Sequence, residues 1–173
     1  VLATQNPIEQ EGTYRLPEAQ LDRFLFKLAV GYPSLEEEVQ ILQGHHARRE
    51  AADPLEAVQP VLTAGQVAHL RAQARRVVCE DKVLEYMARL VQETRQSKAL
   101  YLGASPRASV ALLNASKALA ALRGRDFVLP DDVQELAAPV LRHRLILTPE
   151  REMEGTTPDD VVAQLVQKVE VPR

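Results

Sequence analysis

Before Pro33 the apolar residues fall in short continuous runs, and beyond it they recur every three or four positions. The first pattern predicts two short strands, residues 1–5 and 24–30, the latter reading Phe-Leu-Phe-Lys-Leu-Ala-Val. Asn6-Pro7 is a turn signal closing the first run. Between the runs, residues 9–14 predict a turn-rich loop and residues 17–22 a helical turn. Gly31-Tyr32-Pro33 breaks the chain, so a division into 1–33 and 34–173 is expected.

The second pattern predicts a helical bundle. Ser34 with Glu37, and Thr63 with Gln66, each read as a capping box, in which a hydroxyl and an N3 side chain satisfy each other's backbone N–H. The first helix carries Val39 and Leu42 and fades near Arg49; the second runs to about Val78. Residues 50–60, with Pro54 and Pro60, predict an extended connector. Asp81 opens a helix with Val83, Met87, Leu90 or Val91, and Thr94 on one face. Ser105-Pro106 is a cap followed by proline at the first helical position. The helix after it shows Val110, Leu112, Leu113, Ala115, Leu119 and Leu122 as its apolar set and stops at Gly124. Six alanines between 108 and 121 predict close helix packing. Pro130-Asp131-Asp132 and Thr157-Pro158-Asp159-Asp160 start two more helices, with acids at the positive end of the dipole.

Composition narrows the class. The 173 residues are 46% apolar and 26% charged, the balance of a globular chain. Cys79 is the only cysteine, which excludes an intrachain disulfide or a cysteine-based zinc site. No apolar run approaches the roughly 18 residues of a membrane helix, and no secretory signal is visible, so a cytoplasmic location is expected. The net charge of −3 argues against a nucleic-acid binder, whose charge would be basic and clustered. Val1 opens directly on an apolar run without a polar cap, so the chain reads as a segment of a longer protein.

Three residues are candidates for chemistry. Arg107 falls in the first turn of a helix, where the dipole already places about half a positive charge and a cation costs about 0.3–1 kcal/mol unless an anion compensates it. Free backbone N–H groups beside an arginine suit a phosphate; a solvated side chain, or a pair with Asp81, is the alternative. Asn6 stands where a strand is expected to end and could orient a water for phosphoryl transfer, or could simply belong to an Asn-Pro turn. Arg23 could pair with Asp22 or Glu18, or be directed at a phosphate on a partner. The four histidines lack metal-ligand spacing, and no nucleophile elbow is present. None of the seven glycines precedes lysine, so the chain contains no phosphate-binding loop of the form GxxxxGK[ST].

The stretch Ala3-Thr4-Gln5-Asn6-Pro7-Ile8-Glu9-Gln10-Glu11-Gly12-Thr13-Tyr14, followed by Leu16-Pro17-Glu18-Ala19-Gln20-Leu21-Asp22-Arg23-Phe24, resembles the MoxR family of AAA+ ATPases. So do Leu102-Gly103-Ala104-Ser105-Pro106-Arg107-Ala108, residues 124–133 and residues 139–144. Arg15 departs from the proline common there. The resemblance implies the C-terminal part of such an enzyme: the end of the α/β core in 1–33, then a helical lid domain in 34–173. It implies sensor 1 at Asn6, an arginine finger at Arg23 that reaches ATP on a neighbouring subunit, and sensor 2 at Arg107. ATP and Mg²⁺ would be the cofactors of the intact protein, with Walker A and Walker B upstream. The partners implied are copies of itself in a ring, expected to be a hexamer, and client proteins carrying von Willebrand factor A domains; no nucleic acid or membrane is implied. A non-catalytic helical protein-interaction module is the alternative.

Overall fold

The computed structural model describes residues 1–5, 16–47 and 58–172. They form eight helices and two very short strands: α1 (Glu18–Leu21), α2 (Leu35–Ala47), α3 (Ala64–Arg76), α4 (Asp81–Gln96), β1 (Leu100–Leu102), α5 (Pro106–Leu122), α6 (Pro130–Leu141), β2 (Ile146–Leu147), α7 (Pro149–Met153) and α8 (Pro158–Lys168). The mainly helical class expected from the periodicity is the class observed. By packing, the chain divides into one unit of Val1–Lys27 with Ala74–Arg173 and a second of Leu28–Gln73. The first 27 residues therefore group with the long helical part, whereas the break in composition falls at 31–33.

In the smaller unit the two predicted capping boxes form. The Ser34 N–H donates to Glu37 Oε2 at 2.7 Å, and the Thr63 N–H donates to Gln66 Oε1 at 2.8 Å. Neither α2 nor α3 buries a residue; Val39, Leu42, Val67 and Leu70 stay exposed. Most of the expected 50–60 connector, residues 50–57, lies outside the described residues.

The larger unit holds the core. Tyr86, Met87, Leu90 and Val91 of α4 meet Leu112 of α5, Val133, Val140 and Leu141 of α6, and Val161 and Val162 of α8, all nearly inaccessible. On α5 the predicted face is buried only in part: Leu112 and Ala115 lie in the core as expected, and Leu113 packs partly buried against it. Ala108, Ala111, Leu112, Ala115, Ser116 and Ala120 face inward, while Val110 and Leu122 are 59% and 85% exposed. The small residues let α5 come close to its neighbours, and that approach selects the alanine face over the bulkier one. Gly124 (φ +71°) ends the helix as expected, with the Arg125 N–H donating to Ala120 O at 2.9 Å and the Gly124 N–H to Ala121 O at 3.0 Å, a Schellman pair.

The two predicted strands do not form. Residues 1–5 have no ladder partner among the described residues, and neither do 24–30. The reason is local for 24–27, whose backbone groups bond to the end of α6 and to side chains of residues 142–144. The sheet observed instead pairs β1 with β2 antiparallel, Leu100 opposite Leu147 and Leu102 opposite Ile146, across a register irregularity.

Candidate functional site

The start of α5 is held by a chain of specific contacts. Gly103 packs against the last turn of α4 so closely that a Cβ would lie 2.7 Å from the Arg95 backbone and the Thr94 carbonyl. The next residue is then fixed on both sides: the Ala104 N–H donates to Thr94 Oγ1 at 2.9 Å, and Ala104 O accepts from Arg95 Nε at 2.8 Å. Buried Thr94 is itself oriented by donating to Val91 O at 2.6 Å. Ser105 caps the helix by accepting from the Arg107 N–H at 3.2 Å, and Pro106 occupies the first helical position. The Ser105 hydroxyl donates its own proton to Asp22 Oδ2 at 2.9 Å.

Asp22 belongs to a segment clamped by Arg144, whose side chain is only 3% exposed. Arg144 Nε donates to Asp22 Oδ1 at 3.0 Å, and Nη2 donates to Asp22 O at 3.1 Å and Phe24 O at 2.6 Å. Nη1 reaches Val140 O and, at 3.4 Å, Leu25 O. The last carbonyls of a helix have no partner within it. In α6 Pro139 O accepts from the Lys27 N–H at 2.9 Å, Leu141 O from the Arg144 N–H at 2.8 Å, and Val140 O from the Arg144 side chain. One helix end and the turn-and-bend segment 22–27 thus satisfy each other.

This arrangement sets Arg23 and Arg107 on one open cleft of about 260 Å³, lined also by Asp22, Val110, Asn114 and Arg144. Both arginines are exposed, and neither side chain has a hydrogen bond or ion pair among the described residues. The pairings open at the sequence level are therefore not made: Arg107 does not pair with Asp81, nor Arg23 with Asp22 or Glu18. Asp22 is taken by Arg144. Asn6 lies outside the described residues.

Burial pulls the Arg144 guanidinium below its ordinary pKa while the Asp22 carboxylate pulls it up; an arginine remains charged either way. Burial likewise lowers His143, against the hydrogen bond between its Nε2 and Phe24 O (3.0 Å) and with the help of the positive charges of Arg144 and Lys27. Its Nδ1 is buried and has no partner among the described residues, so the neutral Nε2–H tautomer is the form that fits. Among the described residues no group of His, Cys, Asp and Glu could hold a metal ion, and no helix is long and apolar enough to cross a membrane. A second charged cluster is structural: fully buried Asp132 accepts from Arg125 at 2.9 Å, Arg123 at 3.2 Å and the Leu129 N–H at 2.8 Å. Burial alone would raise its pKa, but these donors outweigh burial and lower it.

The cleft joins two segments that match different family models. Residues 1–26 match the ATPase family associated with various cellular activities (AAA), and residues 92–165 match the AAA lid domain. Among curated proteins, the chain is 42% identical to "Chaperone MoxR1" of Mycobacterium tuberculosis over 182 residues, covering 100% of this chain and 47% of that protein. It is 35% identical to "Protein MoxR" of Paracoccus denitrificans, over 86% of this chain and 48% of that one. The chain belongs to the MoxR-type AAA+ ATPases. A Bacillus subtilis relative, "Uncharacterized protein YeaC", is 46% identical over 99% of the MoxR-type chain and 52% of its own length. The crystal structure of a "putative ATPase" from Cytophaga hutchinsonii superposes with a TM-score of 0.87 at 33% identity, over 98% of this chain and 53% of that one. The MoxR-type chain thus spans about half the length of the curated relatives it matches.

Asp22 and Arg23 come from the AAA-matched segment, and Ser105, Arg107 and Arg144 from the lid-matched one. The Arg144 clamp and the Ser105–Asp22 bond escaped the sequence reading. Their only signals were a motif matched without a role at 139–144 and a serine whose capping already explained it.

Proposed function

We propose that this chain supplies the sensor, arginine-finger and lid part of a MoxR-type AAA+ ATPase, residues 1–33 ending the α/β core and 34–173 forming the lid domain. The observation that supports this is the pairing of Arg23 and Arg107 at one cleft, both cations unpartnered among the described residues. Two forked cations beside a helix N-terminus fit a polyphosphate. Among the described residues no cluster of three or more His, Cys, Asp or Glu side chains that could hold a metal ion is present; in this reading the Walker residues, expected upstream, would hold Mg²⁺ together with the phosphates. When bound, Mg-ATP supplies the phosphoryl group that water attacks.

In this reading Arg23 is the arginine finger and acts on ATP held by the next subunit of a ring, taken as a hexamer. Arg107 is sensor 2. Because it shares a cleft with Arg23, it acts on the same triphosphate, the neighbour's. Asn6 is sensor 1 and orients the attacking water. ATP turnover drives remodelling of client proteins, those with von Willebrand factor A domains first among them. Arginine fingers are worth about 10³–10⁵ in rate in related chemistry, so assembly would switch hydrolysis on.

The test is Arg23→Ala in the full-length protein, with ATPase and nucleotide binding measured together. The reading requires a loss of turnover of at least about 10³-fold while nucleotide still binds, and full activity would overturn it. Arg107→Ala with unchanged turnover and unchanged nucleotide-dependent assembly would remove the sensor role.

A further inference from the structure

Three features lie outside the machinery named above: an apolar groove at Leu62, Gln66 and Leu70, the half-buried thiol of Cys79, and the hydrogen-bonded path from Arg23 to Arg107. Nothing shows what would cover the groove, and the thiol, which reaches only the Glu80 carbonyl at 4.0 Å, is a lone cysteine with no sign of a ligand beside it. The path carries an inference. We propose that Asp22 is a positioning residue that locks the arginine-bearing segment onto the start of α5, so that Arg23 and Arg107 are held as one two-cation grip.

The carboxylate is used on both sides. Oδ1 accepts from Arg144 Nε at 3.0 Å and Oδ2 from the Ser105 hydroxyl at 2.9 Å. Ser105 is the residue whose oxygen caps Arg107's own backbone N–H. Only one peptide bond separates Asp22 from Arg23, and only Pro106 separates Ser105 from Arg107. Each arginine is therefore one or two residues from a shared hydrogen bond, and neither can move far without breaking it. Asp22 also neutralises Arg144, the third cation on the cleft, which leaves Arg23 and Arg107 as the charges presented to a ligand. This deepens the ATPase reading and rests on it for the catalytic consequence; the mechanical link stands on the geometry alone.

The experiment is done in the full-length protein, on a Cys79→Ser background with spin labels at Gln20 and Asn114, both exposed. The unmodified protein is expected to give a narrow label-to-label distance distribution, and Asp22→Asn a broad one. Ser105→Gly severs the same link while keeping an acceptable N-cap, and it serves should Asp22→Asn fail to fold; Ser105→Thr retains the hydroxyl and is expected to restore the narrow distribution. In ATPase assays Asp22→Asn is expected to lower kcat at least tenfold with KM unchanged, and to add nothing in an Arg23→Ala background. A distribution as narrow in Asp22→Asn and Ser105→Gly as in the unmodified protein overturns the proposal, as do losses from Asp22→Asn and Arg23→Ala that multiply independently. A broadened distribution in a protein whose turnover ignores Arg23→Ala upholds the link and rejects the ATPase reading instead.

Discussion

Gly103 and Arg95 pack backbone against backbone: a Cβ on Gly103 would stand 2.7 Å from both the amide nitrogen and the Cα of Arg95. Real Cβ atoms do not approach backbone that closely, so the loop or the helix end must move. Gly103→Ala is expected to destabilise the chain by about 1–3 kcal/mol, the usual cost of forcing an extra carbon into packed structure. The displacement also pulls Ala104 from Thr94 and loosens the Ser105 cap. A urea titration checks this through the midpoint, with an unchanged slope expected.

The Arg144 clamp makes a second prediction. Arg144→Met leaves Asp22 without its ion-pair partner and strips donors from the carbonyls of Asp22, Phe24 and Val140. A loss of about 3 kcal/mol is expected, the lower end for breaking a buried pair, because the Asp22 side chain keeps 21% exposure. Arg144→Lys is expected to recover only part of it, since an ammonium offers no planar fork to reach several acceptors at once. Limited proteolysis near residues 22–27 should speed up in both variants.

What was readable in the chain was local chemistry. Both capping boxes, the Ser105-Pro106 helix start, the Thr157 cap and the Gly124 stop form where residue type alone placed them. Tertiary preference was not readable. Val110 and Leu122 lost the core to alanines because approach distance, not hydrophobicity, chose the face of α5. Residues 24–27 have a β-prone composition, but their polar backbone found partners at a helix end. β1 and β2, three and two residues long, are too short to show a period. Arg144 and Asp132 were hidden because charged residues are surface residues by default, and only the assembled fold supplies the acceptors and donors that bury them.

Acid should loosen the same junction. Because His143 has a lowered pKa in the folded chain, the unfolded chain binds the proton first as pH falls. Its contribution to stability is therefore full above about pH 6.5 and declines below that toward its folded pKa, at no more than about 1.4 kcal/mol per pH unit for one proton. Asp132 has a lowered pKa too, but as a carboxylate its contribution is lost only at much lower pH, below its ordinary value of 3.8. The two windows are separate. His143→Gln keeps an N–H donor for Phe24 O and cannot titrate, so urea midpoints of this variant should be flat across pH 5–7 where those of the unmodified chain fall. A parallel fall in both would assign the sensitivity elsewhere.

Arg107 offers the sharpest separation of function from stability. It places a cation at the positive end of α5, and among the described residues no anion compensates it. Its guanidinium contributes nothing to the fold that the structure records; its backbone N–H, which bonds Ser105, survives any substitution except proline. Alanine is the best helix former and removes the charge. Arg107→Ala should therefore unfold at the same urea concentration as the unmodified chain or a slightly higher one, a gain of up to about 1 kcal/mol, while ATP turnover in the full-length protein falls. Salt provides the control: the stabilisation should shrink as ionic strength rises, because a dipole–charge repulsion at an exposed helix end is screened. A clear loss of stability would mean that Arg107 holds the fold together through a partner, and the case for a waiting phosphate would lose its physical basis.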